Sequence, residues 1–201
     1  MEYPSKAIQQ AVDAFKSLPG IGNKTAVRLV LHLIKQNEQH LKQFESAVEG
    51  LRTKVQYCKK CFNLSDTEIC GICSGQRREQ SKICVVQDIR DVLALEGTAQ
   101  YNGTYHVLGG VISPMEGVGP DELKINELIE RVKNEDVSEI IFALSATMEG
   151  DTTIFYISKQ LKDHDVKITT IAKGISIGGE LEFIDEITLG RSLMSRIPFE
   201  I

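Results

Sequence analysis

The chain has 201 residues, 42% of them apolar and 25% charged, which is ordinary for a soluble globular protein and leaves room for one domain or for two to three small ones. Its net charge of −5 is unevenly spread: residues 1–82 hold 13 Lys/Arg against 8 Asp/Glu, and residues 83–201 hold 10 against 20. A polyanion would therefore meet the N-terminal part rather than the whole surface. No apolar run approaches the length of a membrane span and MEYPSKAIQQ is no signal peptide, so the expected setting is a reducing cytoplasm.

Residues 4–17 read as an amphipathic helix, with Ile8, Ala11, Val12 and Phe15 on one side. The turn LPGIG at 18–22 stops it, and a second helix runs from Asn23 to Lys35 with Ala26, Val27, Val30, Leu31 and Ile34 as its apolar side. A third helical pattern covers 38–54. The first two helices and their turn form a helix–hairpin–helix. Gly20 and Gly22 allow the backbone to turn tightly and bare its N–H groups, and the positive end of the second helix points the same way, an arrangement suited to phosphate. Lys24 and Arg28 lie one turn apart on that helix and add cations. None of these groups reads base edges, so binding to DNA would be independent of sequence and sensitive to salt. A helical hairpin that only packs is the plainer reading. Lys24-Thr25 could close a nucleotide-binding P-loop, but its glycine positions fall on Leu18 and Asn23, which excludes it.

Cys58, Cys61, Cys70 and Cys73 follow as two Cys-x-x-Cys knuckles. Two such pairs complete a closed tetrahedral site, the arrangement of one structural Zn²⁺ per chain with no open position for catalysis. The competing reading, two disulfides of a secreted protein, lacks any sign of export. Lys59, Lys60, Arg77 and Arg78 are expected to soften the thiolate charge and form a basic rim. Cys84, inside an apolar run, reads as a small buried hydrophobe.

From Ile83 strands alternate with helices: strand 83–87, helix 88–96, strand 105–113, helix 122–134, strand 139–144, helix 151–163 and strand 166–172. This pattern implies βαβ units and a mainly parallel sheet covered on both faces. His106 reads as a satisfied strand residue, and the Gly- and Pro-rich stretch 109–120 as a loop that could meet a partner.

The hairpin LPGIGNKTAVRL, the four cysteines, YHVLGGVISPMEGVGPDEL, MEGDTT and GGELEFIDEITL, in that order, resemble the bacterial recombination-repair family RecR over essentially the whole chain. The resemblance implies an α+β multi-module fold: a helix–hairpin–helix DNA-binding domain at 1–54, a four-cysteine zinc finger at 55–82, an α/β Toprim domain at 83–173, and a C-terminal Walker B-like oligomerisation segment at 174–201. Toprim enzymes use a glutamate after the first strand and an Asp-x-Asp pair after a later one to hold Mg²⁺. Here these positions fall on Gln87, Ser145 and Thr147, one amide and two hydroxyls. A binding scaffold is thus favoured over an enzyme. Glu149 and Asp151 remain as candidates for weak Mg²⁺ binding or a partner contact, although carboxylates at those positions also suit a helix start near Thr152. LEFIDE at 181–186 reads as a Walker B strand ending in Asp185-Glu186, and SLMSRIPF at 192–199 fits a subunit contact.

The family further implies recombinational repair with the partners RecO and RecF, promoting RecA loading on single-stranded DNA coated by single-strand-binding protein, and a homotetrameric ring lined by the hairpin cations, in the bacterial cytoplasm at the nucleoid. Two rivals stand beside this reading. One is a Mg²⁺-dependent nuclease or primase using Glu149, Asp151 and Asp88; the other is an adaptor without DNA contact.

Overall fold

The computed structural model describes residues 3–175 and 178–198. The chain divides into two compact units, Met1–Val55 and Gln56–Ile201.

The first unit is helical. Helix α1 spans Lys6–Lys16, α2 spans Asn23–Ile34 and α3 spans Glu38–Thr53. Val12 of α1 and Ala26 and Val30 of α2 form its buried centre, with Ile8, Ala11, Phe15 and Val27 packed around them. Leu31 and Ile34 are exposed, contrary to the expected apolar side of α2. At 100° per residue Leu31 lies well round the helix from Ala26, and Ile34 is its last residue. Helix α3 is capped by Asn37, whose side chain accepts from His40 N–H at 2.9 Å, and it buries no residue.

The second unit is built on a four-stranded sheet. Strands β1 (Gln56–Tyr57) and β2 (Leu64–Ser65) first form a small antiparallel ribbon. The main strands are β3 (Glu79–Val86), β4 (Gly103–Val107), β5 (Glu139–Ala143) and β6 (Lys167–Thr170), all parallel, in the order β4-β3-β5-β6. Helices α4 (Ile89–Gly97), α5 (Ile125–Asn134) and α6 (Met148–Gln160) connect them, and α7 (Glu186–Met194) follows. Strand β3 starts earlier than the apolar run suggests, because its polar Glu79–Lys82 end pairs as well. Strand β4 ends before the expected 113, because Gly109 takes a left-handed conformation at φ +85°.

Side chains alternate across the pleat. Ile83, Val85, Ile140 and Phe142 face α5 and α6, meeting Leu128, Ile129, Val132, Ile157 and Leu161. Cys84, Val86, Tyr105 and Val107 face the other way, where they meet Val92 of α4 together with Phe62 and Ile72 of the cysteine segment. Cys84 is buried as expected, and its thiol is pushed up to about 12 by desolvation.

Three polar groups are built into this core. Arg131 is buried and donates to Tyr105 O and Thr104 Oγ1, each at 2.8 Å. His106 is buried; its Nε2 donates to Lys124 O at 2.7 Å, while Nδ1 has no partner. Burial pushes its pKa down to about 4, so the ring is neutral. Glu96 receives Arg78 Nη1 at 2.9 Å and Tyr105 Oη at 2.8 Å. The Arg78 hydrogen bonds hold this carboxyl below its usual range, against desolvation.

Because the folded Glu96 titrates lower than the unfolded one, its contribution is present above the ordinary carboxylate range and lost as pH falls through the folded value. Glu96→Gln is expected to lower stability by about 1–2 kcal/mol at neutral pH. The gap from the wild type should close below about pH 4. Urea unfolding at pH 7 and pH 3 measures both.

Candidate zinc centre and nucleic-acid interface

The four cysteine sulfurs of Cys58, Cys61, Cys70 and Cys73 all lie within 4.8 Å of one another, and all four residues are buried. Cys61 Sγ and Cys70 Sγ are 3.6 Å apart, too far for a disulfide and close to the separation of two ligands on one tetrahedral zinc. All are free thiols. The ribbon β1–β2 holds the first knuckle, with Cys58 N–H donating to Asn63 O at 2.8 Å. Backbone N–H groups also aim at sulfur: Cys70 N–H to Cys58 Sγ at 3.3 Å and Cys73 N–H to Cys70 Sγ at 3.5 Å.

The thiols differ in acidity. Desolvation pushes Cys58 up, but N–H donors from Cys70, Cys61 and Lys60 outweigh it and bring the thiol down to about 7. The Cys73 thiol and burial drive Cys61 far up, and burial raises Cys70. Four adjacent buried thiolates require a cation among them, and a soft dication such as Zn²⁺ satisfies donor type, count and spacing together.

The knuckles are joined to the sheet. Val107 N–H at the end of β4 donates to Cys61 O at 2.8 Å. Phe62, the next residue, adopts φ +61°, a conformation an aromatic residue rarely takes. That turn sets its ring edge-on to His106, 5.4 Å between centroids, with Lys124 Nζ 5.2 Å above it. Lys60 pairs with Glu135 at 3.0 Å, and Glu135 also holds Arg131 at 3.2 Å. The expected basic rim is largely neutralised: Lys59 pairs with Glu68, Lys60 with Glu135 and Arg78 with Glu96. The partners of Lys60 and Arg78, drawn from elsewhere in the fold, are invisible to local sequence reading.

The order of the sheet reverses between β3 and β5, and the crevice beyond their C-terminal ends is where an open α/β sheet places a ligand. Gln87 follows β3, and Ser145 and Thr147 follow β5. Thr147 caps α6, its Oγ1 accepting from Gly150 N–H at 3.2 Å. Helix α6 therefore starts at Met148, earlier than expected, and Glu149 and Asp151 occupy its first turn instead of capping it. A Cβ on Gly150 would lie 2.1 Å from Ser145 O, so glycine is required there. Asp88 caps α4 by accepting from Arg90 N–H at 2.7 Å, and its carboxylate also binds the Arg90 guanidinium. Asp151 is paired with Lys173, which holds it below its usual range, and Arg191 lies 3.9 Å away. Glu149 is exposed. Among the described residues, the cysteine quartet is the only group of three or more His, Cys, Asp or Glu ligands close enough to share an ion.

In the helical unit, Gly20 takes φ +78°, which only glycine adopts freely, whereas Gly22 has an ordinary φ of −81°. Gly22 acts differently: it is the N-cap of α2 and carries no side chain to cover the helix end. The first bond of α2 is Ala26 N–H to Gly22 O at 2.9 Å, which leaves the preceding N–H groups without intrahelical partners. Lys24 and Arg28 are exposed, and no carboxylate among the described residues lies within ion-pair distance of either.

Towards the C-terminus, Leu181–Phe183 is a 3₁₀ turn and not the expected strand, and Asp185 caps α7 by accepting from Thr188 N–H at 2.8 Å. Phe199 of the expected subunit contact lies outside the described residues. Among the described residues, no helix is long and apolar enough to cross a membrane.

Comparison with known proteins matches every segment. Family models for the RecR helix-hairpin-helix, the RecR four-cysteine zinc finger domain, the Toprim domain and the RecR C-terminal segment cover residues 8–51, 55–75, 81–172 and 174–197. Proteins named "Recombination protein RecR" are similar over nearly their full length. The one from Phocaeicola vulgatus is 58% identical over 198 residues, covering 98% of this chain and 97% of its own. The one from Flavobacterium johnsoniae is 56% identical over 200 residues, covering 100% and 97%. The chain thus carries a four-cysteine zinc finger whose sulfurs are in place for one structural zinc.

Elemental analysis is expected to find one zinc per chain, and Cys58→Ser or chelation to remove it and destabilise the second unit. Phe62→Ala is expected to cost about 1–3 kcal/mol in urea unfolding while the zinc content stays at one. The pair of measurements separates packing on the sheet from ligation.

Proposed function

Because the chain belongs to the RecR family of recombination proteins, we propose that it acts in recombination and repair as a DNA-binding mediator that breaks no bonds. The observation that carries this reading is the pair Lys24 and Arg28, without an ion-pair partner among the described residues, beside the bare N-terminus of α2. Main-chain N–H groups of residues 22–25 and these two cations suit a phosphodiester chain and carry no base readout, so affinity is sequence-independent. The zinc finger supplies structure and leaves no coordination position for substrate.

Non-enzymatic action is supported by residue identity. At the switch point of the sheet stand Gln87, Ser145 and Thr147, which give a hard divalent ion no negative charge. Asp88 and Asp151 are committed to Arg90 and to Lys173. Glu149, with Asp151 beside it, is proposed as a partner contact. The domain limits 1–54, 55–82, 83–173 and 174–201 follow the same reading. By likeness to the family, the chain works with RecO and RecF to load RecA on single-stranded DNA coated by single-strand-binding protein, in the bacterial cytoplasm at the nucleoid. A homotetrameric ring would gather several hairpins around the DNA and so let an acidic chain hold a polyanion. Exposed Ile187, Leu193, Met194 and Ile197 in and after α7 support a subunit contact there.

Lys24→Ala/Arg28→Ala is expected to weaken binding to gapped duplex DNA at low salt and to reduce the slope of log K against log salt by about 1.5–2. Wild-type protein incubated with Mg²⁺ should leave the same DNA intact. Unchanged affinity would favour an adaptor without DNA contact, and cleavage lost in Glu149→Ala would favour the nuclease.

A further inference from the structure

The cationic surface does not stop at Arg28. The sequence holds no Asp or Glu between Asp13 and Glu38, while Lys24, Arg28, His32 and Lys35 recur on α2 and at its end at spacings of three or four. Such spacing puts them on one face, away from buried Ala26 and Val30. Lys24, Arg28, Leu31, His32 and Lys35 line one surface groove. His32 Nε2 is held by Gln36 Nε2 at 3.1 Å. No ion pair is formed by Lys24, Arg28 or Lys35 among the described residues. Lys16 and Lys42 of the same unit do pair, with Asp13 and Glu38. A helical face kept free of acids along its whole length has charge complementarity to a polyanion and to little else.

We infer that the DNA backbone runs along the whole of α2, with His32 and Lys35 as a second phosphate contact beyond the hairpin. From Lys24 to Lys35 the helix rises about 16 Å, which spans about five nucleotide rises of one strand. The hairpin alone reaches one phosphate or two; the groove extends the grip along the same strand and fixes its direction relative to the helix. This inference rests on the DNA-binding reading above and adds to it a site that the hairpin does not contain.

The test is a salt titration of binding to single-stranded DNA, using the full chain. Lys35→Ala is expected to lower the salt slope by about 0.7 uniformly across sequences, and His32→Ala/Lys35→Ala to weaken binding further through the lost hydrogen bond. Lys35→Arg should keep the wild-type slope. Lys42→Ala, removing a cation already paired with Glu38, should leave it unchanged. If Lys24→Ala/Arg28→Ala weakens binding while Lys35→Ala and His32→Ala/Lys35→Ala keep the wild-type slope, the extended contact is wrong and the hairpin reading stands. If neither pair of variants matters, both fall. An equal loss in Lys42→Ala would assign the effect to net charge and overturn the extended contact. Thermal melting of each variant confirms folding, and these exposed positions bury no apolar surface on which the fold relies.

Discussion

A parallel sheet must be covered on both faces, and here one of those faces depends on a metal knuckle. Helices α5 and α6 close one side. On the other, α4 shares the task with Phe62 and Ile72, two side chains held in place by the cysteines around them. Cys61 supplies a sulfur to the zinc site and a carbonyl to the end of β4, so the ion's geometry passes directly into the sheet. The left-handed Phe62 carries a cost of about 1–2 kcal/mol, offset by its contact with His106 and Lys124. The finger is thereby a wall of the α/β unit.

At the switch point of the sheet behind that wall stand Gln87, Ser145 and Thr147, with Glu149 and Asp151 in the first turn of α6. The turn after β5 keeps its tight geometry, with Gly150 against Ser145 O and Thr147 capping α6, while the side chains that would hold a divalent ion are an amide and two hydroxyls. Cations around the second unit are mostly matched with carboxylates: Lys59, Lys60, Arg78, Arg90 and Lys173 all have partners. Those on α2 do not, among the described residues. Lys24, Arg28 and Lys35 thus form a cluster of unmatched positive charge on and just after one helix.

Much of this is legible in the sequence, where the signal is local. Two Cys-x-x-Cys pairs fix their own geometry, the LPGIG turn marks its helices, and the alternation after Ile83 announces βαβ units. What depends on distant residues is not legible. The basic rim around the finger is largely neutralised because Glu96 of α4 and Glu135 at the end of α5 reach it from elsewhere in the fold. The start of α6 reads late because carboxylates suit a first turn as well as a cap, and they mask Thr147, the residue that caps it. LEFIDE has the composition of a strand end, yet Asp185 serves as a helix cap, a use of aspartate that hydrophobicity does not reveal. That the finger packs on the sheet follows from Phe62, whose positive φ no propensity anticipates.

The dependence of the sheet on the ion is tested most directly by segment-resolved hydrogen exchange before and after zinc is stripped. Amides of Gly103–Val107 in β4 should lose protection together with those of residues 55–75, while the helical unit Met1–Val55 keeps its own. Loss confined to residues 55–75, with β4 as protected as before, would contradict the account and make the finger an appendage.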